Sequence, residues 1–194
     1  MSGNKVTYGF EQVHIAFKEE GTTPAWDTPK AIPGAVRFTP SPEGDTSTFY
    51  ADNSPYFVVT SNNGYTAELE MALVPDEVLA EMLGWEIDEN GMLVEVADGK
   101  AKPFALMGQV QGDQKNRRFV YYECVASRPA KEHATKTETL DPATDVLSLT
   151  ISPIVIGGKK ITKGTLELST ENKTVYDDFF DEVYVPDFGE VVGG

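Results

Sequence analysis

The chain has 194 residues, 40% hydrophobic and 24% charged, with 16 Lys and Arg against 31 Asp and Glu for a formal net charge of −15. That length and mixture suit one globular domain with a substantial core and exclude a disulfide-stapled miniprotein, and no apolar run approaches the roughly 18 residues that a bilayer-spanning helix needs. The acidic excess repels phosphate backbones at long range, which disfavours tight nucleic-acid binding.

The residues for common catalytic chemistry are scarce. A single cysteine, Cys124, can close no intrachain disulfide and build no thiolate metal site, so it reads as a small buried hydrophobe on a strand. The two histidines, His14 and His133, sit in an alternating apolar stretch and in the polar run KEHATKTET, settings of an exposed strand and a loop rather than of a zinc site or catalytic triad. The run GGKKITKG, residues 157–164, lacks the spacing of a phosphate loop and reads as a turn. Asp88, Asn90 and Gly91 faintly suggest a calcium loop, but Asn-Gly between alternating apolar stretches is the signature of a tight hairpin. These observations predict no enzyme, no cofactor and no metal. The opening MSGNKVTYGFEQ has no apolar core or small-residue cleavage site of a secretory signal, which predicts synthesis for the cytoplasm.

Along the chain, residues 5–18 alternate as a strand or two, with Val13, Ile15 and Phe17 on one face. Residues 19–44 hold prolines at 24, 29, 33, 40 and 42 and predict a long, extended, loop-rich connection. TSTFYA and PYFVVTS then read as strands, and Asn62-Asn63-Gly64 predicts a hairpin into YTAELEMAL, with Tyr65, Ala67, Leu69, Met71 and Leu73 facing the core and Thr66, Glu68 and Glu70 facing water. Pro75, Asp76, Glu77, the stripe Val78, Leu79, Met82, Leu83, and Gly84 predict a short capped helix. A hairpin about Asn90-Gly91 follows, then two long strands near 102–111 and 117–128 around the tip GDQKN. After a polar linker, 146–153 alternates as a half-buried strand, and TVYDDFFDEVYV predicts a C-terminal helix with Val175, Phe179, Phe180 and Val183 on its apolar side. The predicted fold is mainly β: a β-sandwich or partly closed barrel with one short flanking helix and a C-terminal helix, in a single domain over 1–187 with a flexible tail at 188–194.

The block YADNSPYFVVTSNNGYTAELEMALVPDEVLAEMLGWEIDENGMLVE resembles the central part of the major tail proteins of long non-contractile-tailed phages of Gram-positive bacteria. It resembles them in a Tyr-Ala-Asp-Asn turn, an Asn-Gly-Tyr hairpin followed by an acidic alternating strand, and a Pro-Asp-Glu helix opening at Pro75, Asp76 and Glu77. FALMGQVQGDQKNRRFVYYECVASRPA resembles their next strand pair, through Tyr122, Cys124, Arg128 and Pro129, and TVYDDFFDEVYVPD their closing segment. The resemblance implies a phage tail-tube-like fold and a structural, non-catalytic subunit. It further implies homo-oligomeric hexameric rings stacked into a tube, alongside other tail proteins such as the tape measure and tail terminator. DNA would pass through without specific binding, and no membrane is involved. The expected location is the virion tail, assembled in the host cytoplasm.

On that reading the wet strand faces predict a lumen lined by Glu68, Glu70, Gln109, Gln111, Ser148 and Thr150, since carboxylates and neutral polar groups let phosphates slide where lysines would grip. The long connection and the 112–116 tip predict inter-subunit contacts by Trp26, Ile32, Phe38, Asp113 and Lys115. The alternatives are another tail component such as a terminator, or a non-catalytic β-sandwich binding or adhesion module displaying Tyr56, Phe57, Trp26 and Trp85.

Overall fold

The computed structural model describes residues 9–51, 54–113, 115–129 and 144–188; His133, the 130–143 part of the polar linker and most of the predicted tail lie outside them. The chain is mainly β with two short helices, and its main sheet is open. In order across that sheet run β2 (Lys30–Ala31), β1 (Phe10–Phe17), β9 (Phe104–Val110), β10 (Arg118–Ala126), β11 (Asp145–Ile151), β6 (Gly64–Met71) and β3 (Ala35–Glu43). A last strand, β14 (Lys163–Leu166), pairs with the first half of β10, while β11 takes the second half.

Alternation decides what each strand buries. Ile15 and Phe17, Phe104 and Leu106, Leu69 and Met71, and Leu147 and Leu149 point to one face, where they pack with Val78, Leu79, Met82 and Leu83 of α1 (Asp76–Leu83). A bulge at Gln12 (φ 57) adds a residue to β1, so Phe10 and Val13 both reach this core. The sheet curls around it until β1 and β3, near opposite ends of the strand order, meet through their aromatics: Phe10 and Phe38 stack at 5.9 Å, and both rings lie about 6 Å from Phe119. On the opposite face Ala16, Ala105, Met107, Val120 and Tyr122 form a second core. It is covered by the hairpin β12 (Ile154–Ile156) and β13 (Lys159–Ile161) and by the C-terminal α2 (Lys173–Asp177) with its continuing 3₁₀ turn (Asp178–Phe180). Cys124 is fully buried on β10 as its apolar neighbours predict, and burial raises its thiol pKa.

Three expectations change. Residues 19–44 are not a loop throughout, because 35–43 form the nine-residue β3, paired with β6 from Ala35↔Met71 to Glu43↔Gly64. Pro40 and Pro42 are tolerated there because β3 is the outermost strand, and positions two apart turn their backbone nitrogens the same way, toward an edge that asks for no donor. Removing residues 22–42 would therefore strip a strand from the sheet rather than trim a connection.

Second, Asn62-Asn63-Gly64 does not reverse the chain. β5 (Ser54–Thr60) pairs with β4 (Thr46–Ala51) as far as Ala51↔Ser54, and β6 pairs with β3, so the four strands form one ribbon. Rungs from Ser61 N to Asp45 O and Asn63 N to Glu43 O carry the pairing through the junction. Turn residues mark a bend here, not an end. Third, the C-terminal helix is one turn of α followed by 3₁₀, so Tyr176 and Phe179, three apart, are the buried pair, and Val175 is exposed.

The short helix and the second hairpin match their signals. Gly84 closes α1 in the left-handed conformation, at φ 71 and ψ 30, with its N–H bonded to Ala80 O. At the reversal between β7 (Glu86–Ile87) and β8 (Leu93–Val94), the Asp88 carboxylate accepts hydrogen bonds from Asn90 N and Met92 N, both at 2.8 Å. That geometry is an Asx-type turn, and it accounts for the acidic residue without a cation.

Candidate functional site

Direct cross-strand partners project to the same side of a sheet. Glu68 lies opposite Ser148 on β11 and opposite Thr39 on β3; Thr66 lies opposite Thr150 and Ser41; Glu70 lies opposite Val146 and Arg37. Four predicted polar residues, Glu68, Glu70, Ser148 and Thr150, thus share one face, and Glu68, Ser148 and Thr150 line an open trough there with Thr39, Ser41, Thr66 and Ser127. This is the second-core side of the sheet, left uncovered over β11, β6 and β3.

Its chemistry is hydroxyl and carboxylate. Arg37 pairs with Glu70 at 3.1 Å, Thr144 Oγ1 donates to Glu70 at 2.8 Å, and Thr66 Oγ1 donates to Glu43 at 2.9 Å. Arg37 was not among the residues expected on this face. Its place there depends on β3, a strand that the prolines of 19–44 conceal in the sequence. Its charge is matched by Glu70, so Glu68 is left as an exposed carboxylate in no ion pair among the described residues.

Gln109 and Gln111 do not join this group. Gln109 lies on β9, under the C-terminal segment, where its Oε1 accepts from Arg118 Nε at 3.0 Å. Arg118 sits between the rings of Tyr176 (4.0 Å) and Phe180 (4.6 Å), and His14 stacks on Phe180 at 4.5 Å, so the predicted exposed histidine is instead half-covered. Gln111 lies past the end of β9, its backbone N–H bonded to Gly9 O. The alternation is as expected, but the two ends of the sheet are dressed differently.

The residues expected between subunits are engaged within this one. Trp26 Nε1 donates to Tyr122 O at 3.1 Å, Ile32 is 2% exposed in the first core, and Phe38 stacks in the aromatic cluster. Ile32 is buried, while Trp26 and Phe38 are half-buried against the second and the first core respectively, packing that a linear sequence cannot show. Asp113 is buried and accepts from Arg117 Nε and Lys115 N, while Lys115 Nζ pairs with Glu167 at 2.9 Å. Tyr176 Oη also donates to Asn116 O at 2.6 Å, so the 112–116 tip is tied to the body. Of the aromatics weighed for an adhesive face, Trp85 packs on the first core and Trp26 is bonded as above, while the side chains of Tyr56 and Phe57 lie outside what the structure describes.

The Arg117 guanidinium holds the Asp113 carboxyl below its ordinary value of 3.8. A carboxylate depressed in the folded state stabilises the fold above its unfolded pKa and loses that contribution as pH falls through the folded one. Asp113→Asn should therefore lower the urea midpoint at pH 7, and the gap to the parent should shrink as the pH falls below 3.8 and through the depressed folded value. A gap that is the same at both pH values would show that the ion pair is not what the substitution removes.

No family model and no curated relative matches the chain. Among solved structures, the anti-feeding prophage cap, a tube-terminating cap seen by cryo-EM, matches with a TM-score of 0.50 at 8% identity, over 86% of this chain and 97% of that one. A chain of the sheath–tube complex of an extracellular contractile injection system in its extended state matches with a TM-score of 0.46 at 9% identity, over 81% of this chain and 89% of that one. A chain of the anti-feeding prophage baseplate also has a TM-score of 0.46, at 10% identity, over 86% and 98%. Nothing further rests on the last two. At such low identity, the likeness to the cap shows a shared fold.

Proposed function

We propose that this chain is a non-catalytic structural subunit of a phage tail tube, assembling into stacked hexameric rings that form a conduit for the genome. The observation that carries this reading is the fold shared with a tube-terminating cap along 97% of that chain's length. The residue blocks resembling major tail proteins support it independently. They favour the tube of a non-contractile tail, whereas the solved neighbour that shares the fold is a tube-terminating cap. The exposed trough of β3, β6 and β11 is the face we assign to the bore. Its hydroxyls hydrate well and Glu68 repels phosphate, and Arg37 on the same face of the sheet is neutralised by Glu70.

The test is the purified protein at rising concentration under negative-stain electron microscopy. Tubes are expected, and a chain that stays monomeric by mass at every concentration and salt would overturn the reading. The cap likeness favours one second reading, a tail terminator, which would give single rings and no tubes. For the bore itself, Glu68→Cys provides a single accessible thiol because Cys124 is buried. A maleimide too bulky for the bore should label it at least about tenfold more slowly in tubes than in monomers; equal rates would put this face outside.

A further inference from the structure

Two hairpins outside the main sheet carry matched surfaces of opposite sign. β7–β8 belongs to an acidic lobe: between residues 76 and 98 Asp or Glu stands at positions 76, 77, 81, 86, 88, 89, 95 and 98, with no Lys or Arg. In this hairpin Glu86 is the cross-strand partner of Val94, and both are exposed. β12–β13 carries Lys159 and Lys160, and there Lys160 is the partner of Val155, again both exposed. Val94 is 39% exposed and Val155 53%, while their strand neighbours Leu93 and Ile154 turn into the two cores. Each hairpin therefore presents a valine beside a charge to its outer side.

Of these charges Lys159 lies over the Phe188 ring, its Nζ 4.2 Å from the centroid, and it stays exposed. Glu86, Glu89, Lys159 and Lys160 form no ion pair among the described residues, whereas Lys18, Lys30, Arg37, Lys102, Lys115 and Lys173 are all paired. The two hairpins also lie on opposite faces of the sheet, β7–β8 beside α1 on the first core and β12–β13 on the second. A single copy cannot bring them together. Copies that each carry −15 repel one another, so association needs local contacts that reverse the sign, and a lysine hairpin meeting an acidic one supplies it.

We propose that the β7–β8 hairpin of one copy docks on the β12–β13 hairpin of the next, with Glu86 and Glu89 facing Lys159 and Lys160 and Val94 against Val155. The contact is heterologous, since different patches meet, so it closes into a ring when the rotation between copies allows. The choice of a second copy as partner rests on the tube reading above.

The experiment uses the full chain and its charge reversals, with assembly read by light scattering and electron microscopy. Lys159→Glu with Lys160→Glu, and separately Glu86→Lys with Glu89→Lys, should each cut assembled mass at least about tenfold at a concentration where the parent is fully assembled. One chain carrying all four reversals should assemble again, because every contact then has its charges exchanged. Reversals that assemble like the parent, or a four-fold variant that stays dispersed, would overturn this contact while leaving the tube reading standing. A parent chain that never assembles overturns both. As a measure independent of charge, Val94→Cys with Val155→Cys should give a ladder of disulfide-linked multimers on oxidation. Only monomer on a denaturing gel from intact assemblies would also refute the contact.

Discussion

Phe179→Ala should destabilise the subunit by about 3–5 kcal/mol, the cost typical of truncating a buried phenylalanine. The ring is 2% exposed in the second core, beside Val120, Tyr122 and Val183, and it stands edge-on to Phe180 at 5.4 Å. The 3₁₀ turn that holds it is short and contributes little stability of its own, so the ring is the main anchor of the C-terminal segment. Its neighbours add specificity: Arg118 donates to Tyr176 O, and Tyr122 Oη donates to Tyr184 O at 3.1 Å. Burial pushes the Tyr122 phenol up to about 12, so this bond persists through the whole neutral range. Thermal unfolding should shift down by roughly 6–20 °C, given about 2–4 °C per kcal/mol for a chain of this size. An unchanged midpoint would place the ring in solvent or at a subunit contact.

Gly64→Ala should be comparably severe, about 4 kcal/mol or more, which is the range reached when backbone strain and a steric clash coincide. Gly64 opens β6 at φ +107, a conformation that side-chain-bearing residues rarely adopt. An added Cβ would stand 1.9 Å from Ile151 O on the neighbouring β11, a backbone atom held by the Tyr65↔Ile151 pairing. Neither side can yield without losing register. Gly91→Ala serves as the control, since its Cβ meets nothing within 4 Å and only the positive φ is penalised. A circular-dichroism melt showing Gly64→Ala within about 1 kcal/mol of Gly91→Ala would mean that the ribbon bends elsewhere.

The same residue shows how the sequence was legible and where it misled. Asn-Asn-Gly correctly marks a place where the backbone leaves regular strand geometry, because glycine alone tolerates that φ. Whether such a place is a reversal or a bend depends on which strands lie alongside, and β3 lay hidden in a proline-rich stretch. Prolines argue against a central strand, but β3 is an edge, and edge position is a property of the whole sheet.

Local chemistry was enough for the features that depend on near neighbours. Alternation marked the core side of β11 and that of β6 as far as Met71, while Leu73, past the strand's end, is 68% exposed rather than in the core; the Pro-Asp-Glu opening and Gly84 marked α1, and the apolar setting of Cys124 marked it as buried, all from interactions within a few residues. Long-range packing decided the rest. The curl that brings Phe10 to Phe38 half-buries Phe38, Trp26 packs on the second core through its bond to Tyr122 O, Ile32 is buried in the first, and the C-terminal segment covers Gln109 while leaving Glu68, Ser148 and Thr150 open to water. A strand's pattern says that it has a wet side and a dry one; what lies against the wet side is set by elements far along the chain, and only the folded sheet brings them there.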